Sequence, residues 1–294
     1  MDVERILVPV DGSELAEDAL PLAMSLAARA GAALRLVHVR DRLHPIYIDG
    51  LPVVDESLHP LPDLHERTYL SRLRDRLEAS DGVKVEAVIL EGRIARTLAH
   101  HAKQVECVLI VMTTHGYGGL ERFWLGSVAD RLVRLSEVPL LLHKPSPTPE
   151  HGEGFACERI LVLLDGSERA EKILGCVEWI AKTMGATVQL REVVEPARDS
   201  HDGDGAPVSH AEAQRYLREI ADRLATSGVQ ASTHIEQHGE PASAILDHAR
   251  EAGADLIALT TRGRGGVQRM LLGSVSDKVL RGTEVPLLLF RPKN

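Results

Sequence analysis

Apolar and polar positions in this chain fall into blocks whose period switches between that of a strand and that of a helix. Ile6-Leu7-Val8-Pro9-Val10 is a short strand-like run that stops at Asp11-Gly12-Ser13. Leu15, Ala19, Leu22, Ala23, Leu26 and Ala27 then recur at helical spacing as far as Gly31, which predicts one continuous helix. Leu34 to Val39 reads as a second strand, and strand, helix, strand in this order implies a right-handed parallel βαβ unit. Residues 41–65 carry Pro45, Pro52, Pro60 and Pro62 without periodicity, which predicts a long loop or insert. Tyr69, Leu70, Leu73 and Leu77 mark the next helix, Val83 to Leu90 the third strand, and Ile94, Leu98 and Ala102 a shorter helix. Val108-Leu109-Ile110-Val111-Met112 is apolar throughout, as in a central strand covered on both faces. A glycine-rich loop, a helix from Ser127 to about Ser136 and a fifth strand, Val138 to Leu142, complete the series.

The series then restarts. Ile160-Leu161-Val162-Leu163-Leu164-Asp165-Gly166-Ser167 repeats the opening at a spacing of 154 residues. The loop Thr113-Thr114-His115-Gly116-Tyr117-Gly118-Gly119 returns 147 residues later as Thr260-Thr261-Arg262-Gly263-Arg264-Gly265-Gly266. A repeat this long means duplicated domains rather than a solenoid. Residues 145–157, rich in Pro and Gly, are the expected linker between a first domain at 1–144 and a second at 158–294. The fold class expected is α/β, with two tandem doubly wound parallel five-stranded sheets.

Composition narrows the function. Aromatic residues are 3% of the chain, so the cores must be aliphatic. The net charge is −9 with no clustered basic run, which argues against a nucleic-acid groove. A single nucleotide is still compatible, since backbone N–H groups at a helix N-terminus hold phosphate without a basic surface. Cys107, Cys157 and Cys176 form no C-x-x-C pair, and Cys107 reads as a core residue. There is neither a signal-like N-terminus nor an apolar run of about 18 residues, so a cytoplasmic protein without membrane contact is expected.

In a doubly wound sheet, ligands sit at the carboxyl ends of strands where the strand order reverses. If strands one to three run one way and four and five the other, Asp11 and the Thr113–Gly119 loop meet there. Asp11 can accept hydrogen bonds from ribose hydroxyls or an amine. Gly116, Gly118 and Gly119 permit close backbone approach, and Gly126 with Ser127 offers the positive end of a helix to phosphate. Each feature also has a plain structural use. Ser127-Val128-Ala129-Asp130 and Ser274-Val275-Ser276-Asp277 match a capping box, Asp11-Gly12-Ser13 a turn with an N-cap, and the glycines a tight turn. The P-loop pattern is missing, and Gly116-Tyr117-Gly118-Gly119-Leu120-Glu121 lacks the third glycine of a dinucleotide fingerprint. His234 and His238, four apart on a strand, stand about 13 Å from each other, too far to share a metal. His100-His101 reads as surface histidines on a helix. No metal site and no catalytic triad are expected, and Arg122 and Arg269 match in the two copies as residues that could reach a phosphate.

The motifs resemble those of the universal stress protein family, in a tandem two-domain form. Val8-Pro9-Val10-Asp11-Gly12-Ser13, the Thr-His-Gly loop, and Gly126-Ser127 followed by Val138-Pro139-Leu140-Leu141-Leu142 carry the likeness, and it covers both halves. The resemblance implies a Rossmann-like fold of the adenine nucleotide alpha hydrolase-like kind, strand order 3-2-1-4-5, and in one branch ATP binding, with Mg2+ as an accompanying ion. That branch's pattern is Gly, two residues, Gly, nine residues, Gly, then Ser or Thr. Gly116, Gly126 and Ser127 match it, as do Gly263, Gly273 and Ser274, but Thr113 and Thr260 stand where its first glycine falls. By the same resemblance Pro9, Asp11 and Asp165 contact the nucleoside, Val39 and Val193 line the adenine pocket, and Val128 and Val275 follow the serines at the helix starts. It further implies pairing of the two domains through their fifth strands, with homodimers as a higher assembly. Three functions remain open at this level: a nucleotide-binding sensor or regulator, a nucleotide-independent interaction or holdase-like module, and a slow metal-dependent ATP hydrolase. The first, non-enzymatic reading leads.

Overall fold

The computed structural model describes residues 4–41, 46–48, 51–53, 64–114, 125–145, 154–194, 210–237, 240–261 and 273–292. The chain divides into two compact units: Met1–Val138 with Pro145–Phe155, and Pro139–Lys144 with Ala156–Asn294.

In the first unit, β1 (Arg5–Pro9) is followed by α1 (Glu14–Glu17), α2 (Leu20–Ala30) and β2 (Ala33–Arg40). After the short strands β3 (Ile46–Ile48) and β4 (Leu51–Val53) come α3 (Leu64–Asp81), β5 (Val85–Glu91), α4 (Ile94–Gln104), β6 (Cys107–Thr113) and α5 (Ser127–Leu135). The parallel order β5-β2-β1-β6 is the predicted 3-2-1-4. Each parallel crossover needs a helix on a sheet face, and this is why β1 and β6 are apolar on both sides. Ile6, Leu7, Leu109 and Ile110 are wholly buried between the helix layers.

The second unit repeats this plan with β8 (Arg159–Leu164), α6 (Glu168–Glu171), α7 (Leu174–Met184), β9 (Thr187–Val194), α8 (His210–Thr226) and β10 (Ala231–Gln237). It closes with α9 (Pro241–Glu251), β11 (Leu256–Thr260), α10 (Ser274–Gly282) and β12 (Leu287–Phe290). Its parallel order is β10-β9-β8-β11-β12, which is 3-2-1-4-5. Strand β7 (Leu140–His143) belongs to this unit and runs antiparallel beside β12, with Leu141 opposite Leu288. Both strands are apolar, and the ladder covers an edge that would otherwise be bare.

Two expectations need correction. The helix predicted from Leu15 to Gly31 is broken, since α1 ends at Glu17 and α2 restarts at Leu20 with Pro21 in its first turn. Proline has no N–H to give a preceding turn, so it fits only at a helix start. The second unit breaks at the same place, between α6 and α7, where Gly175 stands for Pro21. Either residue weakens a helix interior. The insert at 41–65 is also not structureless, because β3 and β4 pair antiparallel with Tyr47 opposite Pro52.

Candidate functional site

The reversal of strand order falls where the sequence placed it. β1 lies between β2 and β6, and β8 lies between β9 and β11. Leu7 pairs with Ile110, so the ladder carried forward sets Asp11 level with Thr114. Val162 pairs with Ala258, which sets Asp165 level with Thr261 in the same way.

Asp11 Oδ1 accepts the Ser13 amide at 3.0 Å and the Ser13 hydroxyl at 2.6 Å. Ser13 Oγ in turn accepts the Ala16 amide at 3.1 Å and caps α1. Asp165, Ser167 and Ala170 repeat this at 3.1, 2.6 and 3.1 Å. Gly12 and Gly166 have φ of 87° and 76°, a turn that a side chain would strain. The turn-and-cap use of Asp-Gly-Ser is therefore real in both units. Asp11 itself is exposed and Asp165 half-exposed, at the mouth of the switch point.

The far wall is a helix start. Gly126 is the N-cap of α5, and its amide donates to the Thr114 carbonyl at 2.6 Å. Gly273 does the same for α10, reaching the Thr261 carbonyl at 3.0 Å. Gly126 and Gly273 have φ near −60°, so left-handed backbone is not what these positions require. Close approach is: a Cβ on Gly273 would lie 3.3 Å from the Thr261 oxygen. The capping-box reading of the serines fails. Ser127 and Ser274 are the first helical residues, one past the cap, and neither glycine cap is completed by a side chain. The acidic residue that would reach back is engaged elsewhere, Asp130 with Arg134 at 2.7 Å and Asp277 with Arg281 at 2.8 Å. Ser127 and Ser274 are exposed, and Val128 and Val275 behind them half-exposed.

Thr113 and Thr260 end their strands buried, with 4% and 7% exposure. Pro9 is half-buried beside Val37 in the β1–β2 ladder. Val39 is buried two residues further on, and Val193 half-exposed at the matching place. Gly116 and Gly263, with His115, Gly118, Gly119, Arg122, Arg262 and Arg269, lie outside the described residues. The structure thus brings together Asp11, Thr113, Gly126, Ser127 and Val128 at one strand–helix corner, and Asp165, Thr260, Gly273, Ser274 and Val275 at the other. Such a corner offers a carboxylate for hydroxyl or amine donors and a helix N-terminus for an anion.

Aligning the two copies position by position would have found further polar residues beside the corner. In the first unit His38 Nδ1 lies 2.9 Å from the Val10 carbonyl. Glu66 holds Arg40 at 2.8 Å, and the Tyr69 hydroxyl donates to Glu17 at 2.9 Å. In the second unit Glu192 replaces His38 and Tyr216 stands for Tyr69. Burial of Tyr216, then the charges of Glu171, Glu192 and Asp165, hold its hydroxyl protonated well above the usual tyrosine range. His234 stacks on His248 at 5.1 Å, and His238 lies outside the described residues. Among the described residues no group of three metal-ligating side chains converges. Cys107 behaves as the core residue expected, since burial pushes its thiol up to about 11. No helix among the described residues is long and apolar enough to cross a membrane.

Comparison with known proteins gives the chain a family. The pattern of the Universal stress protein family matches twice, at residues 2–144 and 157–291. The chain belongs to the universal stress protein family. A universal stress protein of Mycolicibacterium smegmatis is 26% identical over 98% of this chain and 97% of its own. The Bacillus subtilis universal stress protein YxiE is 34% identical over 45% of this chain and 98% of its own length. Among solved structures, a universal stress protein from Archaeoglobus fulgidus covers 98% of both chains at a TM-score of 0.71 and 22% identity, a likeness of fold. Membership in this family with two matches also accounts for the internal repeat.

Proposed function

We propose that this tandem universal stress protein binds ATP or a related adenine nucleotide at the strand-one/strand-four corner of each unit and serves as a regulatory or sensor module of the stress response. The observation that carries this reading is the duplicated hook from the helix-start glycine to the strand end. Gly126 to Thr114 and Gly273 to Thr261 fix a helix N-terminus beside a carboxylate, once in each unit. A polyphosphate would lie on the first-turn N–H groups of α5 or α10, with Ser127 or Ser274 as hydroxyl donor. The nucleoside would present its hydroxyls or amine to Asp11 or Asp165, against Val39 or Val193. Mg2+ would accompany the phosphates.

Titration calorimetry of the full chain with ATP and Mg2+ tests this. Saturable heat is expected in the wild type, and its loss in the Asp11→Ala/Asp165→Ala double variant. A wild type without heat or thermal shift at millimolar nucleotide would leave the nucleotide-independent module as the better account. Phosphate release that persists in the double variant would mark contamination rather than turnover by this protein.

A further inference from the structure

The two corners share a framework but not their flanks, and the difference bears on which side chains meet the nucleoside. In the first unit most flanking polar groups engage one another, and Glu66 Oε2 alone among them is buried without a hydrogen-bond partner. The Tyr69 hydroxyl is taken by Glu17, the His38 ring by the Val10 carbonyl, and Glu66 by Arg40. In the second unit Glu192, Val194 and Ala213 occupy the places of His38, Arg40 and Glu66, so that network is gone.

Tyr216 keeps the position of Tyr69, and the helix-to-helix ion pair beside it is kept as well, Arg223 with Glu171 at 2.8 Å in place of Arg76 with Glu17 at 2.5 Å. Yet the Tyr216 hydroxyl is buried without a hydrogen-bond partner. A second hydroxyl is in the same condition: Thr261, with 0% exposure, has no partner for Oγ1. Thr261 follows the last residue of β11, where the ladder carried forward sets it level with Asp165, and the Arg223–Glu171 pair ties Tyr216's helix α8 to α6, the helix that Asp165-Gly166-Ser167 leads into. Leaving buried hydroxyls unpaired is unfavourable, and two beside one candidate binding carboxylate mark a place that a ligand's polar groups would complete. With Arg223 already paired to Glu171, the carboxylates of Glu192 and Asp165 make this end favour hydrogen-bond donors, the ribose hydroxyls and exocyclic amine of a nucleoside, over phosphate.

We infer that Tyr216 is a specificity-determining contact of the second unit, hydrogen-bonding the nucleoside end of its ligand, and that Tyr69 has no such role in the first. The inference rests on the nucleotide-binding reading. It is tested by calorimetry on the full chain in an Asp11→Ala background, which leaves the second unit to report, with both ATP and adenosine as probes. Adding Tyr216→Phe weakens both ligands by the same factor, about fivefold to tenfold, while the ligand-free melting temperature holds or rises. Tyr69→Phe, placed in an Asp165→Ala background, lowers the melting temperature and leaves affinity at the first unit unchanged.

Unchanged affinity in Tyr216→Phe, weakening of ATP alone, or a fall in its melting temperature like that of Tyr69→Phe overturns the inference. So does an Asp11→Ala protein that binds neither probe while the wild type binds, an outcome that leaves the nucleotide reading intact for the first unit. A wild type that binds neither probe removes the nucleotide reading and the inference together.

Discussion

At the corner, Asp11 and Asp165 each hold the serine two residues on, and each helix-start glycine donates to the threonine level with that aspartate. One strand further out the units part. In the first unit Val37 pairs with Val88, with Leu90 two positions on, whereas the second places Arg191, His234 and Glu236 at those positions. Arg191 is 1% exposed and ion-paired with Glu236, and its Nε and Nη1 have no hydrogen-bond partner. Burial, more than any neighbour, lowers its affinity for the proton. The difference teaches that duplication kept the hook from helix start to strand end while the charged pair on the adjacent strands changed place, from Arg35 with Glu86 in the first unit to Arg191 with Glu236 in the second.

The largest expected effect lies on that charged face. Glu236→Leu removes the ion-pair partner of a buried guanidinium and should cost about 3 kcal/mol of stability, the low end for such pairs because Glu236 keeps some solvent contact and Glu251 still faces Arg191. Giving these two positions the first unit's residues, Arg191→Val with Glu236→Leu, should restore or exceed wild-type stability in denaturant titrations. If the double variant is as damaged as the single one, the comparison with Val37 and Leu90 is wrong. Next comes the shared corner. Asp11→Ala or Asp165→Ala should weaken nucleotide binding in its own unit by about 2 kcal/mol, roughly thirtyfold, with little effect on the other. Calorimetry that shows both units impaired by one substitution would break the picture of two independent copies.

A smaller effect separates the two tyrosines. Tyr69→Phe loses a hydrogen bond to a carboxylate and should cost about 1.5 kcal/mol in a denaturation curve. The smallest is pH. Burial, then Arg191, lowers the His234 pKa, and the same two causes act on His248, with His234 adding to them. Their folded values lie below the unfolded value of about 6.5. Neutral rings therefore favour the fold, fully above that pH, and the contribution is lost as pH falls through the folded values. His101 in the first unit is also lowered, by burial and then Arg35 and His100. Melting temperatures from pH 7.5 to 5.5 should thus fall, and fall less in His234→Val, which carries the residue of the first unit.

Much of this was legible in the sequence because the signals were local. Strands β1 and β6 were readable as apolar runs, since a strand covered on both faces has no polar side to confuse the pattern. Asp11 and the end of the fourth strand could be set at the switch point because strand order follows from the parallel crossovers. The serine caps were misread because the same letters serve two geometries: Asp130 was free to cap in the sequence but pairs with Arg134 in the structure. The break between α1 and α2 was hidden under an unbroken helical period, with only Pro21 to mark it. Arg191 could not be foreseen as buried, because its burial depends on Glu236 two strand positions further along the neighbouring strand. Gly116 and Gly263 remain sequence matches to the ATP-binding pattern, outside the described residues.

The central claim is that each unit holds one adenine nucleotide at its aspartate-and-helix corner. Native mass spectrometry of the full chain at the lowest ATP and Mg2+ that fill the wild type counts the ligands directly. Two nucleotides per chain in the wild type, one in Asp11→Ala, one in Asp165→Ala and none in the double variant is the predicted result. None in the wild type, or two still bound in the double variant, would contradict it.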